Sequence, residues 1–418
     1  MLWMLSFVGA LQAGAPTHTF AISLEGATRR AVVVSPTVAA AIGAVRAPRG
    51  LRAEAWWPFP DNPTLEYGRV RRRAGLSTVY DREWAVTQEI EIAGQWAFRG
   101  SAASALVRSA EARAQDARRL AALEARRAYV ALAVAERRAA LTDSTAVFAE
   151  RLAGFALRVF EAGEANRLEL NAAVLEGARA RSAAQRALAE MEAAAAELAR
   201  ILALSRDSTP RTTPLPAVPA LAWSSDTVLL GIAHRRRPDL RASEELWRST
   251  HRSVTAARLS LVPSLTVAAV GGREAGTDDL LGIAVGIRVP LFHRQQGAIG
   301  AAAAERAAAR AEETATRRAI LAEALSAGAR FARARLAERR FATDVLQAAA
   351  ENVALTERAL TEGEVSVTEV LVLRRTAVDA QLEYLDVLRD AYGAWFELAA
   401  ALAAAPSELI TMLGVEDR

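Results

Sequence analysis

From Ser101 to Ala153 the chain contains neither glycine nor proline. Past Gly154 the helical texture, with Ala156, Leu157 and Arg158, runs on to Phe160. The spacing predicts one long helix over about 98–160, a rod of roughly 90 Å at about 1.5 Å per residue. A rod of that length cannot belong to a compact single-core domain; it belongs to a coiled coil or a helical barrel. Composition agrees: hydrophobic residues make up 52% but aromatics only 6%, and the difference is mostly alanine. The net charge is +4, with charges interspersed and no basic run, so nucleic acid is not an expected partner. Every basic residue is arginine, and the absence of cysteine removes disulfides, thiol catalysis and cysteine-ligated metal.

The chain repeats itself at an offset near 200 residues. Pro63-Thr64-Leu65 is matched by Pro263-Ser264-Leu265, and Gly100 by Gly300. Glu161-Ala162-Gly163-Glu164 is matched by Thr361-Glu362-Gly363-Glu364, with Glu169 and Glu369 in step behind them. Ser35-Pro36-Thr37 is answered by Arg237-Pro238-Asp239-Leu240. Each unit reads as helix, two strands, very long helix, turn, helix. The first repeat spans 16–206, with a helix at 24–55, strands at about 62–71 and 82–92, the long helix, and a helix at about 167–204. A Pro/Thr/Ser-rich linker is expected over 207–225. The second repeat spans 226–418, with a helix at 226–261, strands at about 263–272 and 282–291, a long helix at about 297–360 and a last helix at about 366–405.

The strands carry the strongest constraint on environment. Trp84, Val86, Ile90 and Ile92 alternate with Ala85, Thr87, Glu89 and Glu91, with Gln88 the one polar residue on the apolar side. Ile283, Val285, Ile287, Val289 and Leu291 alternate with Ala284, Gly286, Arg288 and Pro290. Period two over about ten residues is the length of a tilted membrane-spanning strand. Leu65 with Tyr67, and Leu265 with Val267 and Ala269, alternate more weakly, and polar loops are expected over 72–82 and 273–281. An isolated two-stranded hairpin is marginal in water, and an open aliphatic edge invites aggregation. Four strands cannot enclose a useful lumen, whereas three copies of four give about twelve, within the range of membrane barrels. The physics favours a homotrimer with its apolar face on lipid. Beyond Leu24 no charge-free apolar stretch reaches the 18–20 residues, roughly, of a membrane helix. Met1 to Ala15 is uncharged and mostly apolar, with Ala13-Gly14-Ala15 as a small-x-small site; it resembles an export leader without the basic n-region.

In this order and spacing, several motifs resemble the TolC-like outer-membrane efflux proteins. Asn62-Pro63-Thr64-Leu65 with Gln88 to Gly94 is similar to the family's first strand pair, and Arg236-Arg237-Pro238-Asp239-Leu240-Arg241 to its second-half helix signature. Pro263-Ser264-Leu265, Val289-Pro290-Leu291-Phe292 and Gln296-Gly297 resemble the second strand pair, and Gly363 to Leu371 the second periplasmic turn. The Arg-Pro-Asp pattern is similar to the branch that includes heavy-metal efflux channels. The resemblance implies a mainly α chain with a small β part, assembled as a homotrimer: a 12-stranded barrel in the outer membrane on a long α-helical periplasmic barrel. It implies a passive export duct for small molecules or metal ions, meeting a periplasmic adaptor and an inner-membrane pump of the resistance-nodulation-division type. It implies no catalysis and no cofactor.

Candidate functional residues follow. Gly163 and Gly363 are expected where the chain reverses between helices, as a residue with φ > 0 can. By resemblance, Gly363, Val365 and Ser366 are adaptor-contact positions, with Gly163, Ala165 and Asn166 their first-repeat counterparts. Glu369, with its duplicate Glu169, matches an acidic position at the constricted periplasmic mouth. Either could equally be a solvated glutamate favouring the helix dipole. Trp84, Val86, Ile90, Ile92, Ile283, Val285, Ile287 and Val289 are expected to face lipid. His18, His234, His251 and His293 are scattered and make no metal cluster. Two other readings stand beside the efflux duct: the exit duct of a type I protein-secretion system, and a coiled-coil scaffold outside any membrane.

Overall fold

The computed structural model describes residues 18–74, 77–163, 166–205, 207–275, 277–292, 294–361, 365 and 367–414. The expected leader lies outside them. The chain divides into two compact units, one of 1–39, 117–236 and 322–418, the other of 40–116 and 237–321. No single described helix is long and apolar enough to cross a membrane.

The elements in chain order are β1 (His18–Ile22), α1 (Leu24–Val34), α2 (Pro36–Ala44), α3 (Arg46–Ala55), β2 (Thr64–Ala74), β3 (Ser77–Ile90), α4 (Gln95–Glu161), α5 (Arg167–Ile201), β4 (Ser208–Thr212), α6 (Asp226–Arg236), α7 (Pro238–Leu259), β5 (Leu265–Glu274), β6 (Asp278–Ile287), α8 (Gln296–Arg340), α9 (Leu346–Thr361), α10 (Val367–Ala401) and α11 (Pro406–Leu413). A π-helical turn, Phe341–Val345, joins α8 to α9. Helix α4 runs unbroken for 67 residues.

Several expected elements differ from those observed. The opening helix expected over 24–55 is three helices: Pro36 lacks the N–H that would continue α1, and the chain turns again at Val45. The segment expected as a linker holds β4, paired in parallel with β1 from His18↔Ser208 to Ile22↔Thr212. The long helix expected over 297–360 runs continuously from Gln296 to Thr361, with the π turn as a bulge inside it. There the Thr343 hydroxyl donates to the Arg339 and Arg340 carbonyls at 3.1 and 3.2 Å, competing with the backbone ladder. Phe341 stacks on Tyr384 beside it. The helix expected over 226–261 breaks before Pro238.

In the first unit, Ala27 and Ala31 of α1, Ala125, Tyr129 and Leu132 of α4, and Met191, Ala195, Leu198 and Leu202 of α5 form one core cluster. Tyr129 ties the β1–β4 pair to it: its hydroxyl lies 2.9 Å from the Ile22 carbonyl and accepts from the Thr213 N–H at 2.9 Å. Helices α5 and α10 end alike. Leu204 N–H donates to the Ala199 carbonyl and Ala404 N–H to the Ala399 carbonyl. Ala203 and Ala403 between them take φ of 47° and 49°, a left-handed position that usually goes to glycine.

In the second unit, the Trp56 indole packs on Gly100 of α4 so closely that a Cβ there would meet it at 2.4 Å. Buried Ser109 donates to the Ala242 carbonyl and buried Ser249 to the Ala102 carbonyl, lacing α4 to α7. Pro238 opens α7 at its first turn, and the buried Arg237 forks onto Asp239 at 2.9 and 2.7 Å. The Arg-Pro-Asp signature is thus a helix start: proline needs no N–H partner there, and the aspartate favours the positive helix end.

Candidate functional sites in the sheet and at the helical turns

The second unit's sheet has strand order β2-β3-β5-β6, every neighbour antiparallel. Residues directly opposed across such ladders share a face. Four rows follow from the register: Tyr67, Trp84, Gly271 and Leu281; Leu65, Val86, Ala269 and Ile283; Gln88, Val267 and Val285; Ile90, Leu265 and Ile287. The result is one apolar face crossing all four strands. Its single polar member, Gln88, turns its amide to the Asp61 and Glu89 carbonyls at 3.0 and 2.9 Å. On β6 this face is open, with Leu281 84% and Ile283 79% exposed.

The opposite face is mostly small and polar, with Val70, Val270 and Leu280 its larger apolar members. Gly282, Ala284 and Gly286 alternate with the apolar residues of β6. Arg72 bridges Asp81 at 2.9 Å and Glu274 at 2.6 Å, and Asp81 also accepts from the Ala275 N–H. Glu89 accepts from the Ser264 hydroxyl and lies 3.6 Å from Arg288. The sheet thus carries one aliphatic face and one ion-paired face.

Six of the expected lipid-facing residues, Trp84, Val86, Ile90, Ile283, Val285 and Ile287, share the apolar face. Ile92 and Val289 lie just past the strands and are exposed. Pro290 cannot donate to a ladder, and the chain turns at Gly94 with φ 75°. The expected loops over 72–82 and 273–281 are mostly strand. Their charged residues read as loop, yet they pair: Arg72 with Asp81 and Glu274, Arg273 with Asp279 at 2.8 Å, and Arg69 over the Tyr80 ring at 4.2 Å. Leu281 was therefore hidden in an expected loop. The signal that finds it is the β6 alternation, which runs back through Gly282 unbroken.

Both helical turns fall in the first unit. Gly163, between α4 and α5, takes φ 81° with nothing within 4 Å of where a Cβ would stand, so the requirement is conformational. Asn166 is the N-cap of α5: its side chain accepts from the Glu169 N–H at 2.9 Å, and its amide reaches the Glu169 carboxylate at 3.1 Å. Ala165, Gly363, Ser366 and His293 lie outside the described residues. Val365 is half-buried, Glu369 is exposed in the first turn of α10, and Val370 behind it is buried. Arg374 lies over the Phe148 ring at 4.7 Å, and Arg181 pairs with Glu150 at 2.6 Å, fixing α10 and α5 against α4. Among the described residues no group of three or more His, Asp or Glu could hold a metal ion.

The family model for outer membrane efflux proteins matches residues 229–404, from α6 through β5, β6 and the second helical turn to the end of α10. These residues belong to the outer membrane efflux protein family. It is a family of efflux ducts, not of enzymes. Solved structures extend the fold over nearly the whole chain. A membrane protein from Pseudomonas aeruginosa is 21% identical, with TM-score 0.75, over 91% of this chain and 93% of that one. The outer membrane protein VceC from Vibrio cholerae is 16% identical, with TM-score 0.75, over 91% and 96%. The open-state outer membrane channel MtrE of Neisseria gonorrhoeae is 17% identical, with TM-score 0.73, over 91% and 89%. A search of curated protein sequences finds no match. The chain thus has the TolC-like channel fold.

Proposed function

We propose that the chain is one protomer of a homotrimeric outer-membrane channel, the passive export duct of a tripartite efflux system. The observation that carries this is the sheet: an aliphatic face across four strands, with the outer edges of β2 and β6 unpaired among the described residues. Lipid accepts the apolar face, but a bilayer tolerates no open edge, since each unsatisfied N–H or C=O costs several kcal/mol, roughly. Three sheets joined β6 to β2 satisfy both demands at about twelve strands.

In this reading the helical turns face the periplasm. Gly163, Ala165 and Asn166, with Gly363, Val365 and Ser366, meet the adaptor, and through it a pump of the resistance-nodulation-division type supplies the energy. Glu369 forms a threefold acidic ring at the mouth that favours cations, with Glu169 beside its own cap. The cargo is small molecules or metal ions. The test is fractionation of cells making the tagged protein, with the extracted species sized by native mass. An outer-membrane trimer is expected; a soluble monomer or dimer overturns the channel in favour of a coiled-coil scaffold.

A further inference from the structure

The apolar face of the sheet changes chemistry in one step. Beyond Tyr67, Trp84 and Leu281, the next row is Arg69, Arg82, Arg273 and Asp279, directly opposed across β2, β3, β5 and β6. Arg71 and Arg73 carry the same face of β2 on toward the hairpin end, opposite Tyr80 and Thr78. Five exposed arginines thus share this face with one aspartate. Opposed Cβ atoms stand only about 4.5–5.5 Å apart, and like charges so placed destabilise a sheet. Arg82 has an arginine on both sides.

The two faces treat their charges differently at this level. On the small, polar face Arg72 is matched by Asp81 and Glu274. On the apolar face Asp279 matches Arg273 alone. Among the described residues, no carboxylate pairs with Arg69, Arg71, Arg73 or Arg82. The helices join the sheet at its other end, through Thr64, Ile90, Leu265 and Ile287. The arginine row therefore lies at the hairpin end, one row beyond Tyr67 and Trp84, which are residues typical of a membrane interface.

We propose that this row binds the phosphate groups of outer-leaflet lipid. The proposal rests on the channel reading, in which the apolar rows meet hydrocarbon and the next row meets headgroups. A guanidinium fork matches a phosphate through two parallel hydrogen bonds, which a lysine cannot do. Lipid phosphates supply negative charge to the arginines that Asp279 does not reach, and they remove the repulsion across β2, β3 and β5.

The test uses the purified full-length protein in nanodiscs of phosphatidylcholine doped with lipid A or with dephosphorylated lipid A, read by native mass spectrometry. The wild type is expected to retain lipid A over its dephosphorylated form, with excess inorganic phosphate failing to displace it. Arg82→Gln and Arg69→Gln are each expected to lower retention about fivefold. Equal retention of the two lipids, or unchanged retention in the double variant, overturns the lipid site; so does release by inorganic phosphate, which would mark a site for the free ion. The oligomer mass in the same spectra keeps the two ideas apart. A membrane trimer indifferent to phosphate sinks the lipid site alone, whereas a chain that never enters the nanodisc as a trimer sinks the channel reading and this site with it.

Discussion

The indole of Trp84 lies against Gly271, its opposed residue on β5, so that a Cβ on Gly271 would come within 2.7 Å of the ring. The ring covers backbone that no side chain of β5 protects, a device that stabilises glycines within sheets. Gly271→Ala should therefore destabilise the assembled protein by about 1–3 kcal/mol, the usual cost of overpacking. The loss should shrink when Trp84 is also changed to Leu. Thermal unfolding of the two single variants and the double variant measures the coupling; strictly additive losses would mean that the ring and the glycine do not interact.

The two faces of β6 should respond oppositely to charge. Val285→Arg places a guanidinium on the apolar face and should block outer-membrane assembly, since arginine facing mid-bilayer lipid costs about 2–4 kcal/mol. Ala284→Arg, one residue away on the small and polar face, should assemble. Heat-resistant trimer in the membrane fraction is the readout, and normal assembly of Val285→Arg contradicts a lipid-facing β6.

Ala203 and Ala403 hold left-handed backbone at the ends of α5 and α10. For a residue with a Cβ this costs about 1–2 kcal/mol. Replacing either with glycine should stabilise the protein by roughly 0.5–1 kcal/mol, after allowing for the looser unfolded chain. The shift in denaturation midpoint checks it; a loss of stability at both sites would show that the strain is relieved elsewhere.

The two duplicate glutamates should separate by role. Asn166→Ala removes the cap that receives the Glu169 N–H and should cost about 1 kcal/mol of stability. Glu369→Gln should instead reduce cation selectivity in planar-bilayer recordings, because the acidic ring loses its charge. Unaltered selectivity would remove Glu369 from the mouth of the channel.

Legibility followed the physics of each segment. The long helix was readable because nothing between Ser101 and Ala153 can break one, and the core of each strand because Ile283, Val285 and Ile287 alternate with Ala284 and Gly286. The strand ends were not readable: Arg72, Arg73 and Asp81 look like loop one at a time, and only cross-strand partners make them a ladder. The β1–β4 pairing joins His18 to Ser208, far apart in sequence, and no local pattern marks it. The turn at Phe341 contains no Gly or Pro; Thr343 is the sole local sign. Glu169 was noticed for its place in the repeat, but its bond to Asn166 emerges only once α5 has a start.

The bare edges of β2 and β6 also bear on inheritance. A copy damaged in β6 keeps an intact β2, so in the proposed trimer it would still dock onto a healthy neighbour and leave the ring unable to close. One spoiled allele, expressed beside a sound one, would poison most assemblies rather than merely halve their number.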